Sequence, residues 1–362
     1  MSRAVLSRTG PPEPAANPHL FGHEGALARW CRAWCAGRLA HAWLLTGPKG
    51  VGKATLAHRL ARLWLAGDPE HPAGGDPQAP IFRQVASGAH PDFHRLAPRH
   101  TGLVRGRRPE LPVEEVRETL ALLQQTGLAG HRRVCLIEDA ETALNEEGEN
   151  ALLKLLEEPP PGLLFLLVVQ RPGKLPPTIA SRCVPLRLAP LGESALRRAL
   201  SVLAPELEAD PRREAVIAFA EGSPGRALAA VAEGWLETYE QLLAALAEGT
   251  LAARLEAAEI LAGWAQKQGV AAASELLGLV LRRLARVLAE RAPSVALAGD
   301  ENERLSRIAR RLDLESVTAL WEKLDALAAG VETFNLDPFQ AFLSLVRSLG
   351  EAVAPHPVRA GT

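Results

Sequence analysis

The 362-residue chain is 47% hydrophobic, so it can bury a sizeable core and should form two or three domains. Its formal net charge of −1 excludes the global basic field that drives non-specific nucleic-acid binding, so any DNA contact must be local or shared with partners. Four cysteines without disulfide or zinc spacing indicate a reducing compartment, and no signal peptide or membrane-length apolar run is visible, which predicts a cytoplasmic protein.

The N-terminal half reads as an α/β domain. Residues 1–18 are rich in proline and small residues and should form a flexible arm. From about residue 20 to 188, short apolar runs alternate with helical patterns. The apolar runs are AWLL at 42–45, VCLI at 134–137, LLFLLVV at 163–169 and VPLRL at 184–188. Strands that alternate with helices predict a mainly parallel sheet.

A phosphate-binding loop follows the first apolar run. TGPKGVGKAT at 46–55 matches the pattern Gly-x-x-x-x-Gly-Lys-Ser/Thr up to its last position, between a predicted strand and a predicted helix. In that setting backbone N–H groups face an anion, and the lysine lies near the terminal phosphates. The predicted nucleotide-binding residues are Gly47, Gly50, Gly52, Lys53 and Thr55.

The groups that should bind Mg²⁺ are altered. Ala54 stands where a hydroxyl is expected, and Thr55 points about 100° further round the helix, which makes it a poor substitute. The acidic pair after a later strand is Glu138–Asp139, the reverse of the usual Asp–Glu order in motor ATPases. We interpret this pair as a degenerate Walker B site with a residual binding role, or as an acidic loop without metal. Mg²⁺ binding should be weak or absent.

Other motifs predict no zinc site. The Gly/Pro-rich insert at 66–80 contains no cysteine, and Cys31 and Cys35, one helical turn apart, lack two further ligands.

The basic run RLAPRHTGLVRGRR at 95–108 is interpreted as a solvated loop or as a contact with template phosphates.

After about residue 190 the sequence predicts helices only. Asp210–Pro211, Ser223–Pro224 and Asp337–Pro338 each offer an N-cap residue followed by proline at the first helical position. The helices between 235 and 350 have apolar faces larger than packing on a small helical domain needs, which predicts a contact with partner subunits.

Residues 132–188 resemble the core of the bacterial clamp-loader AAA+ subunits of DNA polymerase III, and the resemblance is greatest to the delta-prime type. Further motifs lie in the family's order: GHEGALARWCRAWCAGRLAHAWLLTGPKGVGKAT, GAHPDFHRL, LPVEEVRETL and, at the end of its collar, NLDPFQAFLSLVRSL. The resemblance covers most of residues 20–350. It implies a RecA-like AAA+ domain at 19–189, a helical lid at 190–234, an all-α collar at 235–350 and a flexible tail at 351–362.

The chain departs from the family's motor subunits in its own nucleotide site. Val168, Val169 and Gln170 replace the hydroxyl-bearing sensor residues after the fourth strand. Arg226, the candidate second sensor, lies one place beyond the usual sensor arginine, and Gly225 occupies that place.

One motif of the family is intact. Ser181–Arg182–Cys183 matches the motif whose arginine reaches into a neighbouring subunit's ATP. The resemblance therefore implies that Arg182 is an arginine finger acting in trans, with Ser181 and Cys183 orienting it and packing beneath it. An arginine at a strand start is otherwise usually part of a surface ion pair.

The resemblance implies a largely non-hydrolysing clamp-loader subunit that helps to load the sliding clamp during replication. Its expected partners are the motor (gamma/tau) and delta subunits, the sliding clamp and, through the complex, primed DNA. ATP or ADP can still occupy the degenerate loop. Two alternatives stay open: a catalytically active clamp-loader ATPase of the gamma/tau type, and a P-loop NTPase unrelated to replication.

Overall fold

A computed structural model describes residues 13–71, 74–98, 112–124, 132–144, 146–290, 295–334 and 337–351. Part of the predicted arm (1–12), most of the basic run (99–108) and nearly all of the predicted tail (352–362) lie outside these ranges. The chain divides into two compact units. The first comprises Met1–Thr101, Pro109–Arg213 and Ala220–Leu228, and the second Gly102–Arg108, Glu214–Phe219 and Ala229–Thr362. The division into AAA+ domain, lid and collar stays a prediction.

The first unit is built on a five-stranded parallel sheet. Its strands are β1 (Ala42–Thr46), β2 (Phe93–Leu96), β3 (Arg133–Ile137), β4 (Leu163–Val169) and β5 (Val184–Arg187). Their order is β2-β3-β4-β1-β5. The three inner strands are buried at every position, which explains their continuous apolar sequences. Pro185 is tolerated because β5 is an edge strand.

Helices pack around this sheet. They are α1 (Glu24–Cys35), α2 (Lys53–Ala66), α3 (Pro80–Ser87), α4 (Val113–Gln124), α5 (Ala140–Ala143), α6 (Glu146–Glu157), α7 (Pro177–Ala180) and α8 (Glu193–Leu203). The predicted apolar face of α4 is buried through Val116, Leu120 and Leu123. These residues share a core cluster with Phe165 of β4. A period of 3.6 residues therefore identified the buried face of this helix correctly.

The remaining elements are helices. They are α9 (Arg213–Ala220), α10 (Pro224–Glu233), α11 (Trp235–Glu248), α12 (Leu251–Gln268), α13 (Val270–Leu288), α14 (Glu301–Ala309), α15 (Leu314–Phe334) and α16 (Pro338–Glu351). Helices begin at Pro224 and Pro338 as predicted. At Pro211 the prediction was wrong by two residues, because the Asp210 carboxylate caps the Arg212 N–H in a turn before α9 begins.

A buried ion pair joins several elements of the second unit. The guanidinium of Arg283 on α13 donates to both carboxylate oxygens of Glu301 on α14. Tyr239 of α11 donates its hydroxyl to Glu301 at 2.5 Å, and the Leu297 N–H donates to the same carboxylate at 2.7 Å. Arg283 also donates to the Val295 carbonyl at 2.7 Å. The charged side chains of Arg283 and Glu301 are therefore buried together with their hydrogen-bonding partners.

This architecture confirms the predicted fold class, a parallel α/β domain followed by a helical region. Among the described residues, no strand follows Arg187. No helix in the described ranges combines the length and the apolar character needed to cross a membrane. The sequence reading did not identify β2, whose four residues FHRL are only half buried.

Candidate nucleotide-binding site

The candidate site lies at the carboxyl edge of the sheet. The phosphate loop follows β1, Glu138 and Asp139 follow β3, and Gln170 follows β4. Since β1, β4 and β3 are neighbours in a parallel sheet, their carboxyl ends meet at one edge. The topology therefore brings the predicted loop and the predicted acidic pair together.

Glycine is required where the loop leaves the sheet. A Cβ at Gly47 would stand 2.3 Å from the Leu188 carbonyl oxygen, and the backbone there has φ +149°. Gly50 and Gly52 also have positive φ, at +74° and +109°. The glycine pattern thus follows from a tight turn beside a neighbouring strand.

Every carbonyl from Gly47 to Gly52 accepts a hydrogen bond from the protein. The donors, in order, are Lys53 Nζ (to residues 47 and 48), Ser223 Oγ, the Gly225 N–H, His23 Nε2 and the Leu56 N–H. The first N–H groups of α2, by contrast, have no partner within the helix. The loop therefore presents N–H groups rather than carbonyls to a ligand, as an anion requires.

Lys53 is folded back onto this loop. Its ammonium donates to the carbonyls of Gly47 at 2.7 Å and Pro48 at 2.8 Å, and the residue is only 5% exposed. Burial lowers the pKa of Lys53 to about 8, against the opposing charges of Asp139 and Glu141. Because burial disfavours the charged ammonium, a phosphate anion beside it would stabilise the charged form. The position of Lys53 is thus compatible with a phosphate role.

Glu138 is bound to basic side chains of the protein. Its Oε1 accepts a hydrogen bond from Arg95 Nε at 2.8 Å and lies 3.5 Å from Nε2 of the fully buried His58. Burial would raise the pKa of Glu138, but the hydrogen bonds and charges of His58 and Arg95 outweigh burial and lower it to about 2. The first carboxylate of the predicted pair is therefore an ion-pair partner.

Asp139 has different partners. It adopts a left-handed conformation with φ +48°, and its Oδ1 accepts a hydrogen bond from Gln170 Nε2 at 2.6 Å. Burial, together with the charges of Glu141 and Glu138, raises the pKa of Asp139. Glu141 accepts from the backbone N–H groups of Gln170 and Arg171. Gln170, which follows β4, thus links the second carboxylate to the end of that strand.

This donor set does not fit a catalytic Mg²⁺. Ala54 supplies no oxygen, Glu138 already pairs with Arg95, and Asp139 already accepts from Gln170. Mg²⁺ demands near-ideal octahedral oxygen ligation and would have to displace these contacts. We therefore derive no metal-dependent step for this site.

The candidate second sensor, Arg226, pairs with a glutamate. The Arg226 guanidinium donates to Glu221 at 2.8 Å. Its neighbour Gly225 donates its N–H to the Gly50 carbonyl at 2.9 Å, and Ser223 Oγ donates to the Lys49 carbonyl at 2.8 Å. The start of α10 is therefore hydrogen-bonded to the phosphate loop through small residues. A sensor role for Arg226 stays a prediction.

The predicted finger lies away from the loop, between α7 and β5. Arg182 donates through Nη2 to Glu157 at 2.6 Å and through Nη1 to the Thr178 carbonyl at 2.9 Å. Its side chain is 36% exposed. Ser181 donates to the same carbonyl at 3.1 Å, whereas Cys183 is buried. Ser181 is thus hydrogen-bonded within the local turn and Cys183 belongs to the core, while their support of Arg182 stays a prediction.

A buried arginine anchors the insert between α2 and α3. The buried Arg62 donates to the carbonyls of Ala15 at 3.0 Å and Gly74 at 3.1 Å. Within the ranges that the structure describes, no group of three or more His, Cys, Asp and Glu could hold a metal ion. The expected lack of zinc stays a prediction.

Five residues with structural roles at these sites were not singled out from the sequence. They are His23, His58, Arg95, Glu141 and Glu157. Arg95 was included only as part of a basic run, since its partner is 43 residues away. The double glutamate before three prolines at 157–161 was the available signal for Glu157.

Comparison with known proteins finds a family model and several relatives that are similar to part of this chain. Residues 22–192 match a family model described as "DNA polymerase III, delta subunit". DNA polymerase III subunit delta' of Pseudomonas aeruginosa is 36% identical over 197 residues, which are 54% of this chain and 57% of that protein. Subunit delta' of Escherichia coli is 34% identical over 214 residues, 59% of this chain and 60% of that protein.

Subunits named tau or gamma also match. DNA polymerase III subunit tau of Escherichia coli is 32% identical over 260 residues, which are 69% of this chain and 38% of that protein. The chain thus spans about three fifths of the length of the delta' subunits from Pseudomonas aeruginosa and Escherichia coli. The chain is therefore similar to delta' subunits of DNA polymerase III over 54% and 59% of its own length.

Proposed function

We propose that the chain is a clamp-loader subunit that hydrolyses ATP negligibly by itself and supplies Arg182 to the ATP site of a neighbouring motor subunit. The observation that carries this proposal is the pairing of Glu138 with Arg95, which diverts the carboxylate expected at a catalytic metal. Ala54 and the Asp139–Gln170 hydrogen bond support the same conclusion. The chain's own site is thus altered at the metal-binding groups, while Arg182 is exposed.

The proposal also includes nucleotide binding by this chain. The loop offers N–H groups and the buried Lys53, so ATP or ADP can bind through its phosphates. Without suitable ligands for Mg²⁺, such binding should depend little on the metal. A nucleotide bound by this chain would then stabilise its structure and would not be hydrolysed.

The proposed partners are the motor (gamma/tau) and delta subunits, the sliding clamp and primed DNA through the complex. We assign the lid to 190–234 and the collar to 235–350, and we expect the collar to contact partner subunits. A chain that ends near Gly234 should then stay folded yet fail to join the ring. The proposed compartment is the cytoplasm.

The test is a ring reconstituted with the motor and delta subunits, with ATPase stimulated by the clamp and primed DNA. Arg182→Ala should lower catalysis at the one site it serves, where loss of a finger typically costs about 10³–10⁵-fold. The loss in total ATPase should be smaller because other sites continue. Arg187→Ala, at an exposed arginine of β5, is the matched control. Wild-type ATPase and clamp loading with Arg182→Ala, in a ring of verified composition, would refute the trans role.

An active motor of the gamma/tau type is the second candidate. It is favoured by the otherwise complete phosphate loop and by the similarity to tau over 69% of this chain. ATP turnover by the isolated chain, abolished by Lys53→Ala, would support this candidate over the first.

A further inference from the structure

The Arg182 guanidinium is held at two points. Nη2 donates to Glu157 Oε1 at 2.6 Å, and Nη1 donates to the Thr178 carbonyl at 2.9 Å. A guanidinium has five N–H groups in a rigid plane, so these contacts leave other N–H groups for a phosphate. Two contacts on different nitrogens fix the direction of the plane as well as its position.

The separation of Glu157 and Arg182 is set by the core beneath them. Glu157 ends α6 directly after the buried Leu156, and Arg182 directly precedes the buried Cys183. Leu156 and Cys183 belong to the same hydrophobic cluster, together with Ile179 of α7. Both exposed side chains therefore extend from backbone that is fixed by packing.

Building on the proposed function, we propose that Glu157 is a positioning residue for Arg182. It holds the guanidinium in the orientation from which the remaining N–H groups reach the neighbouring subunit's phosphates. Without Glu157, the long arginine side chain regains rotamer freedom and reaches that orientation for a smaller fraction of the time. Because both side chains are more than one third exposed, the pair should contribute little to stability, so its effect should appear in catalysis.

The test uses the same reconstituted ring. Glu157→Ala should lower the kcat of stimulated ATPase by about two- to fivefold, the factor expected for loss of an exposed ion pair, with the KM for ATP and ring assembly unchanged. Glu157→Gln should retain part of the rate because its amide oxygen still accepts a hydrogen bond. Glu158→Ala is the matched control, at the next glutamate in the chain.

The decisive measurement repeats Glu157→Ala in a ring that carries Arg182→Ala, where no further loss of rate is expected. The positioning role is overturned if Glu157→Ala lowers the rate as much in the Arg182→Ala ring as in the ring with Arg182. It is also overturned if Glu158→Ala lowers the rate as much as Glu157→Ala does. A normal or raised rate for Glu157→Ala while Arg182→Ala is impaired also overturns it, but leaves the proposed function intact. A normal rate for Arg182→Ala itself overturns both.

Discussion

Gly225, at the second residue of α10, lies directly against Gly50 of the phosphate loop. The Gly225 N–H donates to the Gly50 carbonyl at 2.9 Å, and a Cβ at position 225 would stand 2.7 Å from the Gly50 Cα. An arginine at position 225 could not make this approach. The contact therefore gives a physical reason for glycine at position 225, because any side chain there would meet the backbone of Gly50.

Gly225→Ala should loosen this contact. The added Cβ would meet the backbone of Gly50, which cannot rotate away, and such overpacking typically costs about 1–3 kcal/mol. Hydrogen exchange at residues 47–52 should rise, and urea unfolding should report the loss of stability. Gly173→Ala is the control, since nothing lies within 4 Å of its Cβ position. Equal effects of the two variants would contradict the steric explanation.

Restoring the missing hydroxyl should not restore catalysis. In an Ala54→Thr variant, Glu138 would still pair with Arg95, and Asp139 would still accept from Gln170. The carboxylates would therefore remain unavailable to Mg²⁺ and to the attacking water. Steady-state ATPase of the isolated variant should stay at background. Turnover comparable to a motor subunit, lost on adding Lys53→Ala, would disprove this prediction.

Low pH should destabilise the folded protein partly because Glu138 becomes protonated. The pKa of Glu138, about 2, lies below the ordinary value of 4.5. The contribution of this carboxylate to the free energy of unfolding is therefore complete above pH 4.5 and is lost as the pH falls towards 2. The shift corresponds to at most about 3 kcal/mol of unfolding free energy. Glu138→Gln should be less stable than wild type at pH 7, with the difference narrowing below pH 4.5. Denaturant unfolding across pH measures this.

The exposed Glu118→Gln provides the control for the pH experiment, because it changes a carboxylate on the surface of α4. Its unfolding free energy should follow that of the wild type at each pH. A Glu138→Gln difference that stays constant from pH 7 to pH 3 would show that the carboxylate charge is not the stabilising feature.

Glu301→Ala should strongly destabilise the second unit. It would leave the buried Arg283 without its carboxylate and Tyr239 without its acceptor, and breaking a buried pair costs about 3–5 kcal/mol. Hydrogen exchange in α11, α13 and α14 should locate the loss. Glu303→Ala, which removes an exposed pair with Arg307 on the same helix, should change stability by less than about 1 kcal/mol. Similar losses for both variants would contradict the importance of burial.

The sequence by itself determined the elements whose signals are local. Continuous apolar runs identified β1, β3 and β4, because inner strands of a parallel sheet are buried on both faces. The run VPLRL identified β5, although β5 is a partly exposed edge strand. Glycine spacing between a strand and a helix identified the phosphate loop, since the turn needs positive φ. The strand β2 was missed because FHRL is short and partly polar.

Only the tertiary structure decided which partners the charged residues take. Glu138 and Asp139 are adjacent in sequence, yet one pairs with Arg95 of β2 and the other accepts from Gln170 after β4. Ser223 reaches the loop carbonyl of Lys49 across 174 residues. These choices depend on which strand ends are neighbours in the sheet and which helix packs beside them. Local sequence periodicity does not show which strands become neighbours in the sheet. A charged side chain can pair with several partners, and the packing of the chain decides which of them lies nearby.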